Sequence, residues 1–326
     1  MPSRRASDLP SDGTPAGSPG VCPDDRPHPG LPTGASGRVI RAAAKVNLFL
    51  EVLGKRADGF HELATLITPV NLYDTLEVQQ AAGGELRLVC DPPTVPAGPT
   101  NLVWKAAEGL RRAFGVTAGA DIRLTKRIPH EAGLGGGSSD AATAIAALNA
   151  VWGLNRSTRE LAPVAAAVGS DVPVFLLNGP GWCTGRGEIV TPAAVGGPLH
   201  LVIVKPPVGC PTAEVYRRVT VPAAPLDGQE ALAALASGDP TRVAAALHNR
   251  LQPAAFDLQP VVRRVYDALN SCGPLGCLLS GSGSCVFAVC RDRQDAARVA
   301  RRFETETRDE LPGCRAFAVT TPGAMT

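Results

Sequence analysis

The chain has 326 residues, enough for two domains or one large one, and 44% of them are hydrophobic, enough for a sizeable core. A formal net charge of +2 is too even for a nucleic-acid binder, which carries a clear basic surplus, although a few local cations still suit an anionic small substrate. No run of about 20 apolar residues occurs, and no apolar segment follows Arg4 and Arg5, so neither a membrane span nor a secretory leader is expected.

Residues 1–37 are rich in Pro, Gly, Ser and Asp, with Val21 and Leu31 isolated among polar neighbours. Such a segment buries too little apolar surface to offset its ordering entropy, and it is read as a disordered extension. From Val46 to Val52 apolar and polar residues alternate. That period predicts a strand with Val46, Leu48, Leu50 and Val52 in the core and Lys45, Asn47, Phe49 and Glu51 on the opposite, exposed face. Lys45 and Asn47 would then stand about 7 Å apart on that face. The turn at Arg56-Ala-Asp-Gly59 and the apolar run over 63–70 complete a hairpin. Further strands are expected at 76–78 and 86–89, a helix over 101–114 capped by Thr100 or Asn101, and a strand at 121–124. Ala141, Ile145, Leu148 and Trp152 recur at helical spacing. Ser157 and Glu160 form a capping box for the next helix, which Pro163 is expected to delay and Gly169 to stop.

Gly196-Gly-Pro198 separates the two halves. A buried strand at 200–204 opens the second, followed by helices at 228–236, 240–248 and 258–270. A strand, a small-residue loop and another strand span 278–289, and a helix at 293–305 and a strand at 314–319 end it. Strands and helices mix without the regular alternation of a doubly wound sheet, which favours the α+β class. The expected domains are 38–195 and 196–326. Nine cysteines sit mostly in apolar runs. The gaps within Cys272, Cys277, Cys285 and Cys290 do not match zinc knuckles, so buried reduced thiols and a cytoplasmic protein are expected.

The chemistry-bearing segment is Pro129-His-Glu-Ala-Gly-Leu-Gly-Gly-Gly-Ser-Ser-Asp140. Its glycines Gly133, Gly135, Gly136 and Gly137 permit positive φ and close approach of backbone N–H groups to a ligand. Ser138 or Ser139 can cap the helix that follows, and a helix N-terminus binds phosphate. No Lys follows the last glycine, so this is no Walker loop, and the acidic residue of a Rossmann site is missing.

With Leu134 in place, Pro129 to Ser139 resembles the phosphate loop of the GHMP kinases. Two further segments agree with that family and occur in its order: Ala44-Lys-Val-Asn-Leu48, and Leu279-Ser-Gly-Ser-Gly-Ser-Cys285, which holds the glycine loop Gly281, Ser282, Gly283 and Ser284. Asp58-Gly-Phe-His61 and Ser170-Asp-Val-Pro-Val-Phe175 resemble the branch whose acceptor is a cytidylylated methylerythritol, phosphorylated on its 2-hydroxyl on the non-mevalonate route to isoprenoids. The likeness covers about residues 40–320. It implies a two-domain fold with the active site in the cleft between domains, ATP with Mg2+ as phosphoryl donor, and a monomer or homodimer.

Read from residue type alone, Asp171 is a helix cap, Lys45 a solvated lysine, His61 a surface or structural histidine and Tyr216 a core residue. The resemblance instead implies that Asp171 is the acid/base, with Lys45 beside it, and that Asn47 touches the same substrate. It places His61 on the cytosine, Phe60 where a Tyr is frequent, and Tyr216 as a stacking partner. Asn101 and Lys126 become nucleotide-site candidates, although a solvent-facing strand end explains Lys126 nearly as well. His130 and Glu131 depart from the family pattern inside the loop, and Asp140 replaces a frequent Asn, free to meet the helix N-terminus or Mg2+. The Mg2+ ligands are not legible. The rival functions are a GHMP kinase for homoserine, a sugar or mevalonate, and a nucleotide-binding regulator without catalysis. Asp58-Gly-Phe-His61 opposes the first, and the presence of both Lys45 and Asp171 opposes the second.

Overall fold

The structure, a computed structural model, describes residues 37–323 apart from 178. The reading of residues 1–37 therefore lies outside the described residues, Gly37 excepted. Strand β1 (Arg38–Lys55) and strand β2 (His61–Ala81) form the expected hairpin, and both are longer than the sequence pattern suggests. The run at 76–78 is part of β2, because the pairing with β1 continues through an irregularity at Ala43 and Ala44. Strand β3 (Leu86–Asp91) and helix α1 (Leu102–Phe114) follow, with the Asn101 side chain accepting from the Val103 N–H as N-cap. Next come β4 (Gly119–Thr125), α2 (Gly136–Val151) and α3 (Thr158–Val168).

The Ser157–Glu160 capping box is present and fixes the start of α3 at Thr158. Pro163 is thus carried inside the helix, which forgoes one backbone bond there rather than starting later. A short 3-10 turn (Pro173–Leu176) leads to the hairpin β5 (Gly181–Gly185) and β6 (Ile189–Pro192). The sequence pattern missed this hairpin because its strands are only five and four residues long, with glycines at both ends of β5 and in the turn.

The second half contains β7 (His200–Lys205), α4 (Thr212–Arg218), α5 (Gln229–Ser237), α6 (Pro240–Ala245), β8 (His248–Asn249), α7 (Gln252–Leu258), α8 (Pro260–Ser271), β9 (Gly276–Leu279), β10 (Val286–Cys290), α9 (Arg293–Thr307) and β11 (Arg315–Thr320). The helix expected over 240–248 ends at Ala245, since His248 and Asn249 leave to pair with β1.

The larger sheet runs β3-β4-β2-β1-β8 with β5 attached to β2 and β6 to β5, and the smaller runs β11-β7-β10-β9. β8 belongs to the second half by sequence and to the first sheet by pairing, with Phe49 opposite His248. The apolar core also crosses between halves, as Val46 and Leu48 share a cluster with Leu201 and Phe287.

The expected exposed face of β1 is a correction. Lys45 and Asn47 are each 3% exposed and Glu51 is fully buried. An irregularity between Asn47 and Phe49 breaks the alternation, so that the consecutive residues Leu48 and Phe49 are both buried. The glycine segments pack over the polar side, which a period-two pattern cannot reveal. The cysteines among the described residues are free thiols, all buried except the half-buried Cys314. Among the described residues no helix is long and apolar enough to cross a membrane.

Candidate active site

Residues of both halves line a cleft of about 1170 Å³. Every candidate residue read from the sequence lines it except Ser139 and Ser284, which are buried behind it.

The glycine segment bridges β4 and α2. Gly133 and Gly135 take φ of 71° and 67°, the left-handed region that favours glycine. Helix α2 begins at Gly136 with Gly135 as its N-cap and no side-chain cap. The expected caps Ser138 and Ser139 already lie in the first turn, because Gly136 and Gly137 take helical geometry. The opening N–H groups of α2 therefore have no side-chain cap, and Gly136, Gly137 and Ser138 line the cleft. The non-family residues His130 and Glu131 are accommodated by Glu131 at φ 48°. The Glu131 carbonyl accepts from the Ser284 N–H at 3.4 Å.

Three distant segments meet at one point. The Lys45 ammonium donates to Asn47 Oδ1 at 2.5 Å and to the Gly133 carbonyl at 2.7 Å. Asn47 donates onward to Thr65 Oγ1 at 2.9 Å. Gly281 lies directly above, since a Cβ there would sit 3.2 Å from both Asn47 Oδ1 and Lys45 Nζ. The C-terminal glycine loop is locked to the phosphate loop by Ser280 Oγ donating to the Gly133 carbonyl at 2.9 Å, and the Cys285 N–H to the Ala132 carbonyl at 3.1 Å. Asn249 was not anticipated. Its amide donates to the carbonyls of Leu279 and Gly281, both at 2.8 Å, and so positions this loop. A lone Asn after Leu-His gives no sequence signal for that role.

Asp171 precedes the 3-10 turn, on the wall of the cleft. Burial lowers the pKa of the Lys45 ammonium, and the Asp171 carboxylate opposes that shift. Burial raises the Tyr216 phenol, and Asp171 adds to the rise. The same carboxylate thus acts on Lys45 at the phosphate loop and on Tyr216 at the other end.

At that other end His61 and Tyr216 stack with ring centroids 5.2 Å apart and planes 29° apart. Burial, then the nearby Lys55, pushes the His61 pKa below its ordinary value, which favours the neutral ring. The exposed Phe60 ring carries the Arg186 guanidinium 4.8 Å from its centroid.

Lys126 lines the cleft and is not the solvent-facing strand end that the sequence also allowed. Its ammonium is held by the buried carboxylates of Asp74 and Asp140, the latter at 2.7 Å. Asp74 also accepts from the backbone N–H groups of Arg127 and Ile128. Two carboxylates around one ammonium leave no cationic surplus for a phosphate. Burial raises Asp140 to about 7, with Lys126 opposing and Asp74 adding to the rise. Asp140 Oδ1 is buried without a partner. Asn101 lines the cleft, but its side chain caps α1 and donates to the Pro96 carbonyl at 2.7 Å. Among the described residues no cluster of three or more His, Cys, Asp or Glu side chains could hold a metal.

Comparisons with known proteins agree with this geometry. The GHMP kinases N terminal domain matches residues 101–179, and the GHMP kinases C terminal domain matches residues 231–308. A 4-diphosphocytidyl-2-C-methyl-D-erythritol kinase of Pelotomaculum thermopropionicum is 43% identical over 278 residues, covering 85% of this chain and 96% of its own. The enzyme of the same name from Symbiobacterium thermophilum is 42% identical, covering 83% and 96%. Among solved structures, a 4-(cytidine 5'-diphospho)-2C-methyl-D-erythritol kinase superposes with a TM-score of 0.73 at 35% identity, covering 88% of this chain and all of that one. A homoserine kinase from Cytophaga hutchinsonii, at 20% identity and a TM-score of 0.72, shares the fold. The segments that meet around Lys45 are thus those of a known phosphoryl-transfer scaffold, and this chain belongs to the GHMP kinase family of ATP-dependent kinases.

Proposed function

We propose that the chain transfers the γ-phosphoryl group of ATP to the 2-hydroxyl of 4-diphosphocytidyl-2-C-methyl-D-erythritol, a step of non-mevalonate isoprenoid synthesis. The carrying observation is that one cleft holds an uncapped helix N-terminus and the His61 ring stacked on Tyr216, with Asp171 lining the wall of the same cleft. The triphosphate lies against the α2 N-terminus. The cytosine is read at His61, whose neutral ring both donates and accepts, and Phe60 offers a stacking face.

Asp171 holds the acceptor hydroxyl and takes its proton as the oxygen bonds to the γ-phosphorus and the bond to the β-phosphate oxygen breaks, releasing ADP. The acceptor carbon is tertiary, so orientation contributes more than nucleophilicity. Lys45, tied to the Gly133 carbonyl and under the field of Asp171, stabilises charge as it builds on the transferring group. Asn47 fixes Lys45 and is itself fixed by Thr65.

Asp140 does not fit as a magnesium ligand, because Oδ2 is committed to Lys126 and Oδ1 is buried. Mg2+ is proposed to enter on the triphosphate, held mainly by phosphate oxygens and water. The domain division at 195/196 is retained as a proposal, with β8 as the segment that crosses it. The cleft is built from one chain, which suits a monomer or a homodimer, and free thiols suit the cytoplasm.

The test is ADP release from ATP with a panel of the cytidylylated acceptor, homoserine, mevalonate and galactose. The cytidylylated acceptor should have the highest kcat/KM by orders of magnitude. Faster turnover of any of the other three would overturn the proposed acceptor.

A further inference from the structure

A cytidine diphosphate ester carries its charge in its middle, and the groups considered so far bind its two ends. The cations near the phosphate loop are committed, Lys126 to Asp74 and Asp140, and Lys45 to Asn47 and Gly133. Arg186 is placed differently. It tips the turn between β5 and β6, between Gly185 at φ 72° and Gly187 at φ 112°. Its guanidinium lies over Phe60, at the base end of the cleft. The neighbouring Gly187 abuts the reacting end, since a Cβ there would stand 3.5 Å from Asp171 Oδ1.

The turn that carries the arginine therefore spans from Phe60, beneath the guanidinium, to Asp171, beside Gly187, and Arg186 itself lines the cleft. Its ion pair with Glu188 is a long approach of Nε to Oε1 at 3.5 Å, and the Asp58 carboxylate also lies within its field. The other Glu188 oxygen accepts from the Arg186 backbone N–H at 2.5 Å, which holds the turn rather than the guanidinium. Arg217 also lines the cleft, but its side chain is 74% exposed and faces Glu214 at 3.8 Å.

A guanidinium presents paired N–H donors that match phosphate oxygens two at a time, and an aromatic face beneath it holds the plane. We propose that Arg186 binds the diphosphate bridge of the acceptor, setting the distance between the cytosine held at His61 and the hydroxyl held at Asp171. This rests on the cytidylylated acceptor proposed above. It adds a subsite that recognises a nucleoside diphosphate ester rather than a nucleoside.

The experiment compares the unaltered enzyme with Arg186→Gln and Arg186→Lys by calorimetric titration. Cytidine and CDP are each titrated with ADP present to fill the donor site, and ADP is titrated alone. Arg186→Gln should weaken CDP by about 10- to 100-fold, the loss of charge-assisted bonds to phosphate, with cytidine and ADP unchanged. Arg186→Lys should recover only part, because it keeps the charge and loses the fork. In turnover the acceptor KM should rise more than kcat falls. Retained cytidine binding reports that the altered site is folded.

Equal CDP affinity in all three proteins would overturn the role of Arg186 while leaving the acceptor intact. A parallel loss for ADP would assign the arginine to the donor phosphates instead and equally overturn it. If the unaltered enzyme bound neither cytidine nor CDP, the acceptor reading would fall and this proposal with it.

Discussion

Replacing Gly133 by Ala tests the claim that the two glycine loops interlock. Gly133 stands at φ 71°, and a Cβ there would lie 1.9 Å from the Ser280 carbonyl oxygen and 2.9 Å from its carbon. Backbone atoms cannot turn aside as a side chain does, so the loops must part by roughly 1.5 Å to restore ordinary contact. The left-handed conformation adds about 1–2 kcal/mol for a non-glycine residue. Three bonds converge here: Ser280 Oγ to the Gly133 carbonyl at 2.9 Å, the Cys285 N–H to the Ala132 carbonyl at 3.1 Å, and Lys45 Nζ to the Gly133 carbonyl at 2.7 Å. Losing one or two contributes a further ~1 kcal/mol each, for a total near 2–4 kcal/mol.

Displacing Lys45 by about 1 Å should lower kcat by about 100-fold. Gly153→Ala is the control, because Gly153 has φ 65° with nothing within 4 Å of a Cβ and lies outside the cleft. It isolates the backbone term and should leave kcat unchanged. Urea unfolding and steady-state turnover of both variants decide the matter. Gly133→Ala behaving no worse than Gly153→Ala in both assays would refute the interlock.

Asp171→Asn should lower kcat by about 100- to 10,000-fold while ADP affinity, read by calorimetry, holds, and retained turnover would remove Asp171 from the chemistry. The buried Glu51 supports a junction between halves, accepting from Arg250 at 2.7 and 2.8 Å and from the Leu226 N–H at 3.2 Å. Burial alone would raise its carboxyl, but Arg250 and the backbone N–H groups of Val52 and Leu226 outweigh it and hold it at about 2, against an ordinary 4.5. A depressed carboxyl stabilises the fold above its unfolded value and loses that contribution as pH falls from about 4.5 toward 2. The shift is worth about 3 kcal/mol, discounted to about 2 because Arg250 is partly in solvent. The stability gap between the unaltered protein and Glu51→Gln should therefore narrow between pH 5 and about 3 in urea titrations, and a constant gap would contradict the linkage. Asn249→Ala frees two carbonyls of the C-terminal glycine loop. It should lower stability by about 1–3 kcal/mol and kcat with it, and unchanged kcat would show that the loop holds its place without Asn249.

Much of the site was legible because its chemistry depends on local geometry. A glycine-rich turn into a helix is written in consecutive residues, as are the capping box at Ser157 and the Asn101 cap. The helix start moved to Gly136 because glycine leaves the choice between loop and helix to its surroundings. The polar face of β1 was misread for a related reason, since alternation states that two faces differ and not that one meets water.

By itself the sequence determined most of the longer strands and helices, the position of the phosphate loop and the three segments that identify the family, all of which rest on contacts between near neighbours or on unbroken motifs. The tertiary structure alone decided that Lys126 is neutralised by Asp74 and Asp140, that Asn249 positions the Gly281 loop, that β8 joins the first sheet, and that the turn at Arg186 meets Phe60 through its guanidinium and Asp171 through Gly187. Each of these joins residues far apart in the chain, and their pairing depends on how the two sheets pack, which no local pattern of residues encodes.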